Sequence, residues 1–345
     1  MKPYCLAVCL LALPALAQED RIFTVDGKEI DKVRVASWDI RELKYKEGNS
    51  EKSLSTDQVV RVELEQFNDV FRLGLRDADL MLTKAREQVA ENQPLLAQLG
   101  FVRASAMFFD SGRVQEAAAA LDEFEKALPR AGALPEIYRQ KFEYYIGQGD
   151  KQAKSAATVA GKYLSEAQGN AWPAGLALEA EFFKAIADRA AGGTPAEYQS
   201  RLESIIQRAG QNVMVGNRAN IQLANSYLDA KENDKARRLY EAVAGKAGVD
   251  ENSRAGAYLG LGLLTMADAG NDAEANKRAL LWFLRVYLET RSAWPSLQAE
   301  ALYNAVQAAG KWRGPESQFI QARCRGALKN EFPDSDWTER ALAGR

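Results

Sequence analysis

LANSYLDAKENDKARRLYEAV, Leu223 to Val243, decides how the rest of the chain reads. Leu223, Ala224 and Tyr227 recur at helical intervals before the polar run DAKEND, and Ala236, Tyr240 and Val243 recur after it. The spacing predicts a helix, a tight turn and a second helix. A small residue such as Ala236 fits where two helices approach closely, and a large one such as Tyr227 fills the gap between pairs.

The pattern recurs on both sides. Phe101, Ala104, Ser105 and Phe108 lead to a turn at Asp110–Arg113, then Ala117, Leu121, Phe124 and Pro129. The step from Phe108 to Ala117 equals the step from Tyr227 to Ala236. Further hairpins follow Tyr138, Phe142 and Tyr145, then Phe182 and Phe183 with a break at Gly192–Pro195. After the quoted unit, two more carry Leu259 with Phe283 and Leu302 with Phe319. One hairpin cannot bury its apolar faces alone, whereas stacked neighbours can.

These residues resemble tetratricopeptide repeats. Leu223, Ala224, Tyr227, Ala236, Tyr240 and Val243 sit at the family's signature offsets, and the hairpin around Phe101–Pro129 is similar. The resemblance covers about residues 95 to 340. It implies a mainly α fold, an alpha-alpha superhelix over residues 93–345. It also implies a concave groove lined by the first helix of each pair. Carried over to this sequence, the groove wall holds Arg218, Ile221, Asn225 and Leu228, followed by Arg254, Ala257 and Leu261. Arginine can pair with a peptide carboxylate and an Asn amide can hold peptide backbone. An ordinary polar wall accounts for the same residues equally well.

Residues 18–64 follow another period. Asp26-Gly27 lies between short apolar runs, a hairpin signal. Val33 with Val35, Leu43 with Tyr45, and Val60 with Val62 and Leu64 alternate with polar residues, as half-buried strands do. Strand spacing alone suggests a small antiparallel β module, similar to SH3 or Sm barrels, serving to cover an exposed end of the helices. Residues 65–92 then read as one connecting helix, with Phe67, Val70, Phe71, Ala78, Leu82, Ala85 and Val89 on one face.

The chain opens MKPYCLAVCLLALPALAQED. Lys2, an apolar run to Leu13 and Ala15-Leu16-Ala17 are in the order of a signal peptide cleaved after Ala17. The run is too short to span a bilayer of about 30 Å. A periplasmic or secreted protein follows, with no membrane span after processing. Val8 fits poorly before Cys9, which argues against a lipid anchor. Cys324 alone would remain, so no internal disulfide can form; its helical context reads as a small buried residue.

The 345 residues carry 45 Lys and Arg against 47 Asp and Glu, so no basic excess points to nucleic acid. There is no histidine, which removes Ser-His-Asp and Cys-His catalysis and imidazole metal ligands. Gly260-Leu261-Gly262 lies in a helical pattern and reads as close packing, not a nucleotide loop. No cofactor or metal motif is present. Trp282, Trp294, Trp312 and Trp337 gather towards the C-terminus, where packing or an exposed partner site can explain them. The expectation is a non-catalytic exported scaffold holding a protein or peptide in its groove. Two alternatives are an enzyme or accessory acting on envelope polymer, and a structural component that homo-oligomerises through the β module.

Overall fold

The computed structural model describes residues 19–343, apart from 211 and 334. The expected signal peptide and Cys9 lie outside the described residues. The protein is mainly helical, with a five-stranded antiparallel sheet at its N-terminal end.

The sheet contains β1 (Asp20–Thr24), β2 (Glu29–Trp38), β3 (Glu42–Glu47), β4 (Ser50–Ser55) and β5 (Val59–Glu63) in the order β4-β3-β2-β1-β5. Val33, Val35, Leu43 and Tyr45 point inward as their alternation requires. In β5 the expected alternation breaks. Val59 is buried while Val60 is exposed. The cause is a register shift: Phe23 pairs with Arg61 but Thr24 pairs with Val59, leaving Val60 as the extra residue of a bulge.

The continuous helix expected across residues 65–92 is interrupted. A single turn, α1 (Phe67–Val70), is followed by turns and then by α2 (Ala78–Ala90). Asp77 is extended and its carboxylate accepts the Asp79 and Leu80 backbone N–H groups, which starts a new helix there. Gly74 lies so close to Met81 that an added Cβ would come within 2.7 Å of its Cα.

The helices that follow alternate along the chain. They are α3 (Pro94–Asp110), α4 (Val114–Ala127), α5 (Pro135–Gly147), α6 (Ala153–Gly169), α7 (Ala174–Ala190), α8 (Pro195–Arg208), α9 (Val213–Asp229), α10 (Asn233–Ala244), α11 (Glu251–Ala269), α12 (Ala273–Glu289), α13 (Pro295–Trp312), α14 (Ser317–Glu331) and α15 (Asp336–Leu342). From α2 to α15 each packs on the next, and α3, α5, α7, α9, α11 and α13 also pack side by side. The quoted stretch is the second half of α9, a turn and α10. Ala224, Ala236 and Tyr240 are fully buried there. At the turn the N–H groups of Lys231 and Glu232 return to the carbonyls of Leu228 and Tyr227, satisfying the end of α9. None of the described helices is long and apolar enough to cross a membrane.

The sheet lies along loops that join one helix pair to the next, rather than only over an end. Gly132 N–H donates to the Trp38 carbonyl at 3.2 Å, and Ile40 N–H donates to Arg130 at 2.9 Å. The Gly175 N–H, at the start of α7, donates to Asp57 at 2.8 Å. The β1–β2 turn reaches the loop before α11, where Gly27 and Gly248 meet with both φ angles positive. One apolar core runs from Ile22 in the sheet through to Leu223 in α9.

Candidate functional site

The side-by-side packing of alternate helices brings α7, α9, α11 and α13 around one cleft of about 350 Å³. Phe182 comes from α7; Arg218, Ile221, Asn225, Leu228 and Asp229 come from α9. Helix α11 adds Gly256, Leu259, Gly260 and Leu263, and α13 adds Leu297 and Glu300 with Trp294 just before it. The four wall residues expected in α9 are therefore brought together. The three expected in α11 are not. Ala257 and Leu261 are buried in the core with Tyr240 and Val243, and Arg254 is absent from the cleft lining. Helix α11 turns Gly256 towards Ile221 and Gly260 towards Tyr240, and this rotation carries Ala257 and Leu261 round into the interior.

Arg218 does not stand ready for a carboxylate. Its side chain is 12% exposed and lies 3.4 Å from Asp250 and 3.7 Å from Glu179. Its guanidinium sits 5.4 Å from the centre of the Trp294 ring. Glu179, 1% exposed, also takes hydrogen bonds from Arg139 at 2.7 Å and from the Tyr163 hydroxyl at 2.7 Å. Arg139 in turn pairs with Glu136. Burial alone would raise the Glu179 carboxyl, but the charge of Arg139, its hydrogen bonds, Arg218 and Tyr163 outweigh it and hold the group below its usual range. The chain Glu136–Arg139–Glu179–Arg218–Asp250 thus ties α5, α7 and α9 to the start of α11.

Two other carboxyls have the opposite character. Burial raises Glu143 to about 8 against the opposing field of Arg218, with Glu136 and Asp110 adding to the rise. Burial raises Glu300 to about 7, opposed by Arg340. Among the described residues no hydrogen bond or ion pair reaches the Glu300 carboxylate. Its field and that of Asp229 both act on the Tyr240 hydroxyl after burial, which donates to Asn225 Oδ1 at 2.5 Å. Asn225 therefore keeps its amide N–H groups for the cleft. Asn252 Oδ1 accepts the Trp294 backbone N–H at 2.7 Å and fixes the start of α13 against α11.

No protein-family model matches the chain, and no curated protein matches it. The reading of the cleft rests on its own chemistry. Glu300, and the link of Trp294 to Arg218, escaped sequence reasoning because nothing local relates them; only the packing of α13 on α11 does. The four C-terminal tryptophans do not meet as a group. Trp282 lies against Tyr258, Trp337 against Tyr303, Trp294 under Arg218 and Trp312 beside Lys277.

A larger cavity of about 630 Å³ lies between β2 and the helices α3 and α4, walled by Arg34, Ala36, Trp38, Leu95, Pro129 and Arg130. The Trp38 indole N–H is buried there without a hydrogen-bond partner, its ring held against Gly132. Among the described residues no group of His, Cys, Asp and Glu is arranged to hold a metal ion. Cys324 is buried, and burial pushes its thiol up to about 11.

Proposed function

We propose that the protein is a non-catalytic exported scaffold whose helix pairs form a tetratricopeptide-like superhelix, with the α7–α9–α11–α13 cleft on its concave face holding a protein or peptide partner. The carrying observation is that Arg218, Ile221, Asn225 and Leu228 share one cleft with Trp294 and Glu300. An apolar pocket with a few convergent polar groups suits recognition. Its walls are helices already tied together by buried ion pairs, so little order is lost when a partner enters. The loops joining successive pairs carry the β module, and no residue of its strands lines the cleft.

A photo-crosslinker at Asn225, with one at exposed Arg238 as control, tests this in the native host. A discrete protein captured from Asn225 and not from Arg238 supports the cleft as the working surface. Equal capture, or none, at both positions rejects it.

A further inference from the structure

The charge of Arg218 is already engaged within the fold by Glu179 and Asp250. With that arginine neutralised, the charges left on the cleft wall are the carboxylates of Glu300 and Asp229. No hydrogen bond or close ion pair among the described residues reaches the Glu300 carboxylate, on which only the more distant charge of Arg340 acts, although it is half-buried and reached by the cleft. A desolvated carboxylate without a close counter-ion is costly, and a cation supplied from outside relieves that cost. The walls approaching it are apolar: Ile221, Leu259, Leu263 and Leu297.

We propose that the cleft takes a lysine side chain from its peptide partner, the ammonium pairing with Glu300 and the alkyl stem lying on the leucine wall. The assignment rests on the cleft being the partner site and adds the chemistry that enters it. A lysine suits the shape because its four-carbon stem buries along apolar surface while its compact head carries three donors. The Glu300 carboxylate offers the acceptor, and Asp229, at the exposed end of α9 on the same cleft lining, adds negative charge at the approach. The raised Glu300 carboxyl agrees with this: a group strained by losing its proton gains most from a cation.

The test uses the full mature chain at pH 7.5 and three capped tripeptides, alanine–X–alanine, with X lysine, norleucine or glutamate. Binding is read from the Trp294 indole N–H resonance, identified by its loss in Trp294→Phe. The lysine peptide is expected to shift that resonance saturably. Norleucine, which keeps the four-carbon stem but lacks the ammonium and its donors, should bind at least about tenfold more weakly, as should lysine against Glu300→Gln, for a pair worth about 1.4 kcal/mol. Norleucine or glutamate binding as tightly as lysine overturns the assignment. So does an unchanged lysine affinity in Glu300→Gln, a near-isosteric change whose intact fold the same spectrum verifies. Crosslinking separates this from the broader reading. Partner capture at Asn225 that survives Glu300→Gln undiminished rejects the lysine while the cleft stands. No capture at Asn225 in either chain rejects the cleft itself.

Discussion

Gly260 lies flat against the ring of Tyr240: a Cβ built on it would stand 2.2 Å from the ring carbon Cζ. The contact joins α11 to α10 and sets the rotation that sends Ala257 and Leu261 into the core. The same ring holds Asn225 through its hydroxyl, so one glycine governs both the packing and the aim of a cleft residue.

Gly260→Ala should therefore destabilise the protein by about 1–3 kcal/mol, the usual cost of overpacking a filled core. Urea unfolding followed by circular dichroism checks this. An unchanged midpoint would mean that α11 can move away from Tyr240 freely.

Glu179→Ala leaves Arg139 and Arg218 without their shared buried carboxylate. Breaking such a pair costs about 3–5 kcal/mol. The sign with pH follows from the lowered Glu179 carboxyl. Its contribution is complete above the unfolded-state value near 4.5 and is lost as pH falls through the lower folded value. The stability gap between wild type and Glu179→Gln should thus be wide at pH 7 and narrow on acidification below about 4. A gap independent of pH would place the ionised form elsewhere.

Glu300 has the opposite sign. Its folded carboxyl is raised from 4.5 to about 7, so the folded state holds the proton longer than the unfolded chain. Stability falls as pH rises from about 4.5 to about 7 and then levels off. Glu300→Gln removes that loss. The variant should be more stable than wild type at pH 8, by a few kcal/mol at most, with a smaller difference at pH 4. Urea midpoints across this range measure it, and a constant difference would reject a carboxylate raised by burial.

Cys324 is 4% exposed and its thiol is raised to about 11. A disulfide reagent at pH 8 should react with it at least about tenfold more slowly than with the urea-unfolded chain, since both access and thiolate are scarce. Equal rates in the two states would show the end of the fold open at α14.

Gly132 packs on Trp38, with an added Cβ standing 2.1 Å from the indole. Gly132→Ala should loosen the sheet from the helices and alter the near-ultraviolet dichroism of Trp38, while far-ultraviolet helix content stays within a few per cent. Preserved near-ultraviolet signals would show that this contact does not hold the sheet.

Local pattern was enough to recognise the helices and strands. Period-two alternation located Val33, Val35, Leu43 and Tyr45 in strands. Small and large residues at helical spacing marked the α9–α10 pair, because a helix presents its neighbours three and four residues apart. Composition also excluded histidine chemistry. Where a cap, a bulge or a close packing contact intervened, pattern was silent. The Asp77 cap broke the expected long helix, the bulge at Val60 reversed one strand face, and Gly256 and Gly260 set the rotation of α11.

The charge of the cleft belongs to tertiary structure alone. In sequence Arg218 is a cation awaiting an anion; in the fold Glu179 and Asp250, far along the chain, already supply it. Glu300 is one acidic residue among many until α13 places it in a cleft where no hydrogen bond or close ion pair among the described residues reaches it. A sequence records which groups can ionise, but pairing and desolvation decide which charges remain available, and both depend on residues brought together from distant helices.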